Sequence, residues 1–191
     1  MPMRRVARRC GAKYTLSEVV LDEFVLSGKR GRRARQVLRV TDDDHPVGGQ
    51  LMGAEPIQFA AGALVLVEAG FDVIDINFGC PVKKVLGRCR GGFLLSQPDT
   101  ALQIIRRVID ATAGRCPVTV KMRRGMDDEP QSERSFFAIL DGAVDAGIAG
   151  VTAALEAAEA GAEVILVESE PYLGGRVLRN HHYFPKMCPP S

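Results

Sequence analysis

From Pro46 onward, apolar and polar positions along the chain change period in a regular way. PVGGQLMG (46–53) reads as a short strand. EPIQFAAGALVLVEAG follows with helical spacing and stops at Gly70. FDVIDINF predicts the next strand, and SQPDTALQIIRRVIDATAG a helix with Pro98 near its start and Gly114 at its end. PVTVKMRRG (117–125) is a third strand and SERSFFAILDGAVDAG a third helix. Three βα units in succession imply an α/β chain with a parallel sheet, open or closed into a barrel.

Strand parity separates the two faces of that sheet. In VIDINF, Ile74, Ile76 and Phe78 share one side, and Val73, Asp75 and Asn77 the other. In PVTVKMR, Val118, Val120 and Met122 oppose Thr119, Lys121 and Arg123, and in VGGQLM, Gln50 opposes Gly49 and Leu51. A parallel strand buried on both sides should be apolar on both. Each of these strands aims polar groups to one side near its C-terminal end, where α/β folds build active sites, so that side is expected to line a polar cavity.

The rhythm breaks at Gly147. GIAGVTAALEAAEAG offers two residues of strand and then an Ala/Glu-rich helix, before a clear strand EVILVE (163–168) and a Gly/Pro-rich tail. Two helices without a full strand between them do not continue a βα barrel, so a second architecture is expected to begin here.

Composition narrows the setting. The longest apolar run, Phe59–Val67, is far too short to span a bilayer, and MPMRRVARRC has no apolar stretch of the signal-peptide kind. No membrane association is expected. Five cysteines, an odd number with no CxxC pair, suggest a reduced cytoplasmic protein without a metal site. The net charge of +2 conceals an asymmetry: up to Arg39, eleven Lys and Arg stand against three acids, with GKRGRRAR the densest part. Such a block suits a polyanion such as RNA, and equally a solvated face.

The most pointed chemistry lies in DINFGCPVKKVLGRCRGG (75–92), where a strand ends in Gly79-Cys80-Pro81 under a basic loop. With YTLSEVV, HPVGGQLMG, GGFLLSQP, CPVTVKMRRGMDD and DAGIAGVT, it makes the span from about Cys10 to Thr152 resemble the tRNA-dihydrouridine synthases, flavin enzymes on a (β/α)8 barrel. The resemblance implies reduction of uridine to 5,6-dihydrouridine in tRNA, with FMN as cofactor and NADPH as reductant. It implies that Cys80 is the general acid protonating C5 of the uracil, and that Gln50, Lys121 and, on the same face, Arg123 meet the flavin. Asn77 would meet the uracil or the flavin, and Lys83, Lys84, Arg88 and Arg90 would attract the tRNA backbone. Asp75 is expected to be a structural partner for a neighbouring cation. A target base stacked inside tRNA would have to flip out.

Two departures qualify the likeness. Nothing before Cys10 matches the family's first flavin loop, and its later strands, with the phosphate-binding turn, have no counterpart before Thr152. Residues 1–152 therefore predict a partial flavin-dependent TIM-barrel domain, whose exposed sheet edges favour self-association and whose catalytic competence is open. From Gly147 onward, GIAGVTAALEAAEAGAEVILVESEPYLGGRV and YFPKMCPP resemble the FAD-binding start of the heterodisulfide reductase flavoproteins, so 153–191 predicts a short Rossmann-like βα fragment. The second-flavin positions would be Gly147, Gly150 and Glu168. Asp145 replaces the first glycine of G-x-G-x-x-G and would oppose a pyrophosphate, so FAD is not expected there. GIAGVT is shared by both families, and the chain switches between them within it. An FAD electron-transfer fragment and a non-enzymatic RNA-binding fragment stay open as alternatives.

Overall fold

The computed structural model describes residues 2–27 and 36–151. The expected RNA-binding block GKRGRRAR, Glu168 and the whole 153–191 fragment lie outside them. In chain order the elements are helix α1 (Pro2–Arg9), strands β1 (Thr15–Leu16) and β2 (Val20–Leu21), helix α2 (Asp22–Leu26), β3 (Val47–Met52), α3 (Pro56–Glu68), β4 (Val73–Phe78), the short α4 (Lys83–Leu86), α5 (Pro98–Thr112), β5 (Val118–Met122), α6 (Pro130–Asp145) and β6 (Gly150–Val151). Short 3-10 turns at Asp42–Asp44 and Gly91–Ser96 complete them.

Every strand pairing is parallel, and neighbours follow chain order: β1 and β2 both border β3, then β4, β5 and β6. With helices α2, α3, α5 and α6 packed each against the next, this is a half-barrel sheet covered by helices on one face. Each of the three long helices begins with proline at its first turn, where the missing N–H costs nothing. Glu55 caps α3 by accepting from the N–H of Gln58 at 2.7 Å, and α5 ends in Ala113 and Gly114, both left-handed.

Parity holds as expected. Leu51, Ile74, Ile76, Phe78, Val118, Val120 and Met122 are buried with Phe59, Leu66, Ile104, Ile105 and Ile139 of the helices in one core. Gly49 has no side chain because Leu66 of α3 and Phe71, in the turn before β4, fill its place, within 3.1 Å and 2.9 Å of where a Cβ would stand.

The regular pattern starts earlier than the periodicity from Pro46 suggests. β1 and β2 form one interrupted edge strand: four steps from Leu16 to Val20 face three from Gly48 to Leu51. The extra residue makes a bulge, too short on either side to show alternation. The N-terminal arginines also behave differently from a polyanion-binding block. Arg4 is buried and pairs with buried Asp44 at 3.1 Å, Arg5 pairs with Asp43 at 3.0 Å, and Arg8 donates to the carbonyls of Ala12, Lys13 and His45. Burial pushes the Asp44 carboxyl up, but the Arg4 contact and the Thr41 N–H outweigh it and leave it below the usual range. That charge is absorbed in fastening α1 to the turn before β3. Among the described residues no helix is long and apolar enough to cross a membrane.

Candidate active site

On the face away from the helices, polar side chains join across β3, β4 and β5 near their C-terminal ends. Gln50 aligns with Asp75, Asp75 with Thr119, and Asn77 with Lys121. Gln50 Nε2 donates to Asp75 Oδ2 at 2.7 Å, and Thr119 Oγ1 donates to Asp75 Oδ1 at 2.7 Å. Asn77 Nδ2 donates to Gln50 Oε1 at 2.9 Å. Gln50, Asp75 and Asn77 are all buried, so each hydrogen bond offsets a desolvation cost. Burial raises the Asp75 carboxyl above its ordinary range, while the bonds from Thr119 and Gln50 and the charge of Lys121 pull the other way. Asp75 is thus a partner of a nearby cation, and also the hub of a wider network.

Cys80 sits at the C-terminal end of this ladder, half-buried. Asn77 Oδ1 accepts the N–H groups of Gly79 at 3.0 Å and Cys80 at 3.2 Å, which turns the chain sharply out of β4. The far end of the loop locks the same residue. The Gly92 N–H donates to the Cys80 carbonyl at 3.0 Å, and Gly91, at φ +57°, would place a Cβ 2.8 Å from the Cys80 Cβ. Only glycine fits at 91, which accounts for the glycine pair that closes the basic loop. Lys121 carries its ammonium over Gly79, 3.4 Å from where a Cβ would be, and the Arg123 side chain crosses the same glycine at 3.6 Å.

The loop cations divide into two groups. Lys83, Lys84 and Arg88 are exposed on and after α4, beside exposed Val82. Arg90, expected from sequence among the backbone-attracting cations, is buried and paired with Glu23 of α2, so it is unavailable for that role. It ties the Cys80 loop to the neighbouring strand–helix junction. Asp22 is buried beside this pair, accepts the Glu23 N–H at 2.7 Å, and fills the space over Gly53. Burial raises its carboxyl above the ordinary range, against the Glu23 N–H and the Arg90 charge.

Several contributors leave little trace in the sequence pattern. Ser17, in the bulge, accepts the N–H of Gln50 on its hydroxyl at 3.0 Å, replacing a ladder bond that the extra residue displaces. No local pattern marks it. Tyr14 packs its hydroxyl against Gly48, in the place that a Cβ would take. Burial, then the charges of Asp75 and Asp72, raise that phenol far above its ordinary range, so it stays protonated. The unusual Gly48-Gly49 pair in a strand is the signal that could have pointed to it.

An amide row ending in an ammonium suits the alternating carbonyl and N–H edge of a planar heterocycle, so Gln50, Asn77 and Lys121 could hold such a ring. Among the described residues no group of His, Cys, Asp and Glu could hold a metal ion. Gly147 and Gly150 sit elsewhere. Gly147 (φ +85°) terminates α6 and Gly150 opens β6. That turn runs from helix to strand, whereas a dinucleotide phosphate turn runs from strand to helix.

The sequence model of the dihydrouridine synthase family matches residues 1–153, and that of the FAD dependent oxidoreductases matches residues 144–180. Among curated relatives, a probable tRNA-dihydrouridine synthase of Rhodobacter capsulatus is 39% identical over 129 residues, 68% of this chain and 39% of its own. tRNA-dihydrouridine synthase B of Pseudomonas aeruginosa is 36% identical over 126 residues, 66% of this chain and 37% of its own. The chain spans about two fifths of the length of the curated relatives it matches. Among solved structures, 2,3-dimethylmalate lyase, a PEP mutase/isocitrate lyase superfamily member, superimposes with a TM-score of 0.50 at 17% identity, over 78% of this chain and 52% of that one. That likeness concerns the fold alone.

Proposed function

The chain belongs to the dihydrouridine synthase family, and on that premise we propose that it carries the acid-delivering part of a synthase that reduces uridine to 5,6-dihydrouridine in tRNA. The observation that carries the reading is the placement of Cys80. The backbone of Cys80 is held at the end of β4 by the Asn77 side chain and the Gly92 N–H, beside a buried amide row, and the Lys121 ammonium lies over the adjacent Gly79.

Gln50, Lys121 and Arg123 would hold FMN, the first two at the polar edge of its ring. Hydride for C6 of the uracil is the chemistry that reduced FMN supplies when bound, with NADPH as the source of its electrons. Cys80 then gives its proton to C5, the C5–C6 double bond is lost, and the thiolate recovers a proton from solvent. Asn77 keeps the turn in place and offers its amide to the base. Lys83, Lys84 and Arg88 lie exposed beside the turn, where they can hold phosphates of the tRNA while one base is turned out. The boundary near 152, and a contribution of 153–191 as a separate fragment, belong to the same proposal. The edges of the half-barrel sheet favour supply of further strands by self-association.

The family match over 144–180 favours a second reading, an FAD-carrying electron-transfer segment, which the Asp145 carboxylate at the fingerprint opposes. One experiment separates the two. The purified chain is loaded with flavin, the bound flavin is released and identified by chromatography, and dihydrouridine formed in an unmodified tRNA transcript with NADPH is measured by mass spectrometry. FMN retention and turnover that falls about 10²–10⁴-fold in Cys80→Ala, with flavin still bound, is the expected result. Full turnover by Cys80→Ala would overturn the assignment of the acid, and retention of FAD alone would favour the second reading.

A further inference from the structure

The network behind Cys80 has a direction, and one residue sets it. An amide side chain can lie either way round, with its oxygen and nitrogen exchanged, because both ends form hydrogen bonds. Gln50 and Asn77 are two such amides in series, and the second holds the Cys80 turn through its oxygen. Nothing in either amide selects its orientation. The N–H groups of Gly79 and Cys80 can bond only to an oxygen, but donors in a loop could turn to water instead.

Asp75 breaks the symmetry. Its Oδ1 receives the Thr119 hydroxyl at 2.7 Å and its Oδ2 receives Gln50 Nε2 at 2.7 Å, so both oxygens act as acceptors. A carboxylate can only accept, which forces the nitrogen of Gln50 toward β4 and leaves its oxygen for Asn77. Asn77 must then present its nitrogen to Gln50 at 2.9 Å and its oxygen to the N–H groups of Gly79 and Cys80. Reversing the first amide would reverse the second and set an NH2 group against two N–H donors.

We infer that Asp75 is a positioning residue: through the Gln50 and Asn77 amides, it dictates the hydrogen-bond polarity that holds the Gly79-Cys80 turn. The importance of that turn for catalysis rests on the function proposed above; the relay itself does not.

The test uses amide hydrogen exchange of the isotopically labelled chain, read residue by residue by NMR without flavin or tRNA. Asp75→Asn frees the first amide to lie either way, and exchange at Gly79 and Cys80 should rise roughly tenfold, while Val120 in β5 keeps its protection. The double variant Asp75→Asn/Gln50→Glu moves the acceptor-only group one step along. Its new carboxylate can accept from the new amide of β4 on one side and from Asn77 on the other, so protection at Gly79 and Cys80 should return. A merely structural loss at Asp75 would not be repaired by adding a second change. Unchanged exchange in Asp75→Asn, or no recovery in the double variant while Val120 stays protected, would overturn the relay. Should Asp75→Asn fail to fold, Gln50→Met cuts the relay in the middle. It should loosen the same two amides, and their unchanged protection would overturn the inference equally. The expected exchange behaviour together with full turnover by Cys80→Ala would instead fail the proposed function alone.

Discussion

Replacing Gly91 by alanine puts a number on how tightly the Cys80 turn is held. The glycine has φ +57°, and a left-handed residue with a Cβ costs about 1–2 kcal/mol. The new methyl would also stand 2.8 Å from the Cys80 Cβ, 3.1 Å from Val85 Cγ1 and 3.2 Å from the Cys80 carbonyl oxygen. Carbon contacts prefer roughly 3.5–4.0 Å, so relief requires the loop or β4 to move, an overpacking cost of about 1–3 kcal/mol. The two together predict a loss of about 2–5 kcal/mol, read as a lower urea midpoint. Gly114→Ala is the matched control, because Gly114 has φ +72° with nothing within 4 Å of its Cβ position. It should lose only the backbone part. A Gly91→Ala midpoint equal to that of Gly114→Ala would show that the loop closes on Cys80 loosely, and the packing argument would fail.

Two of the buried carboxylates, Asp44 and Asp22, give opposite pH behaviour. Asp44 has a lowered folded-state pKa, so its contribution is present above the unfolded value and is lost as pH falls through the folded one; Asp44→Asn should flatten the acid limb of stability against pH. Asp22 has a raised folded-state pKa, so it favours the fold at low pH and costs stability as pH rises through that value; in Asp22→Asn this decline should disappear. Arg4→Ala leaves Asp44 buried without its cation and should cost about 3–5 kcal/mol in chemical denaturation, far more than Arg5→Ala at the exposed neighbouring pair. Gly48→Ala should displace Tyr14, whose hydroxyl occupies the place of the new methyl; adding Tyr14→Phe should recover part of the lost stability in a double-mutant cycle.

Much of this arrangement was legible in the chain. Alternation alone placed Gln50, Asp75, Asn77, Thr119 and Lys121 on one side, because a parallel strand with polar residues on one face must have somewhere to put them. The GCP turn and the closing Gly91-Gly92 marked the loop correctly, since glycines there answer to close approach. What stayed hidden depends on contacts across long sequence distances. The β1–β2 edge strand is two residues on each side of a bulge, too short for any period. Arg90 looks like its neighbours Arg88 and Lys84, and only the arrival of Glu23 from α2 makes it a buried anchor. Likewise the N-terminal arginines look like a ligand-binding block until Asp43, Asp44 and the backbone carbonyls are brought to them.

The ladder of Gln50, Asp75 and Thr119 has a consequence for how the strands find one another. β3 and β4 could slide by two residues and still keep Leu51, Ile74, Ile76 and Phe78 facing the helices, so hydrophobic burial alone tolerates that error. Sliding β3 by that step would set Gly48 or Met52 opposite Asp75 and remove its Gln50 donor, at a cost of about 1–3 kcal/mol or more for a buried charged group. The same side chains that form the candidate site therefore act as an alignment code between strands. Swapping them for apolar residues of equal size could raise overall stability while producing a mixture of misaligned sheets, so selection for correct folding and selection for chemistry would fall on the same few positions.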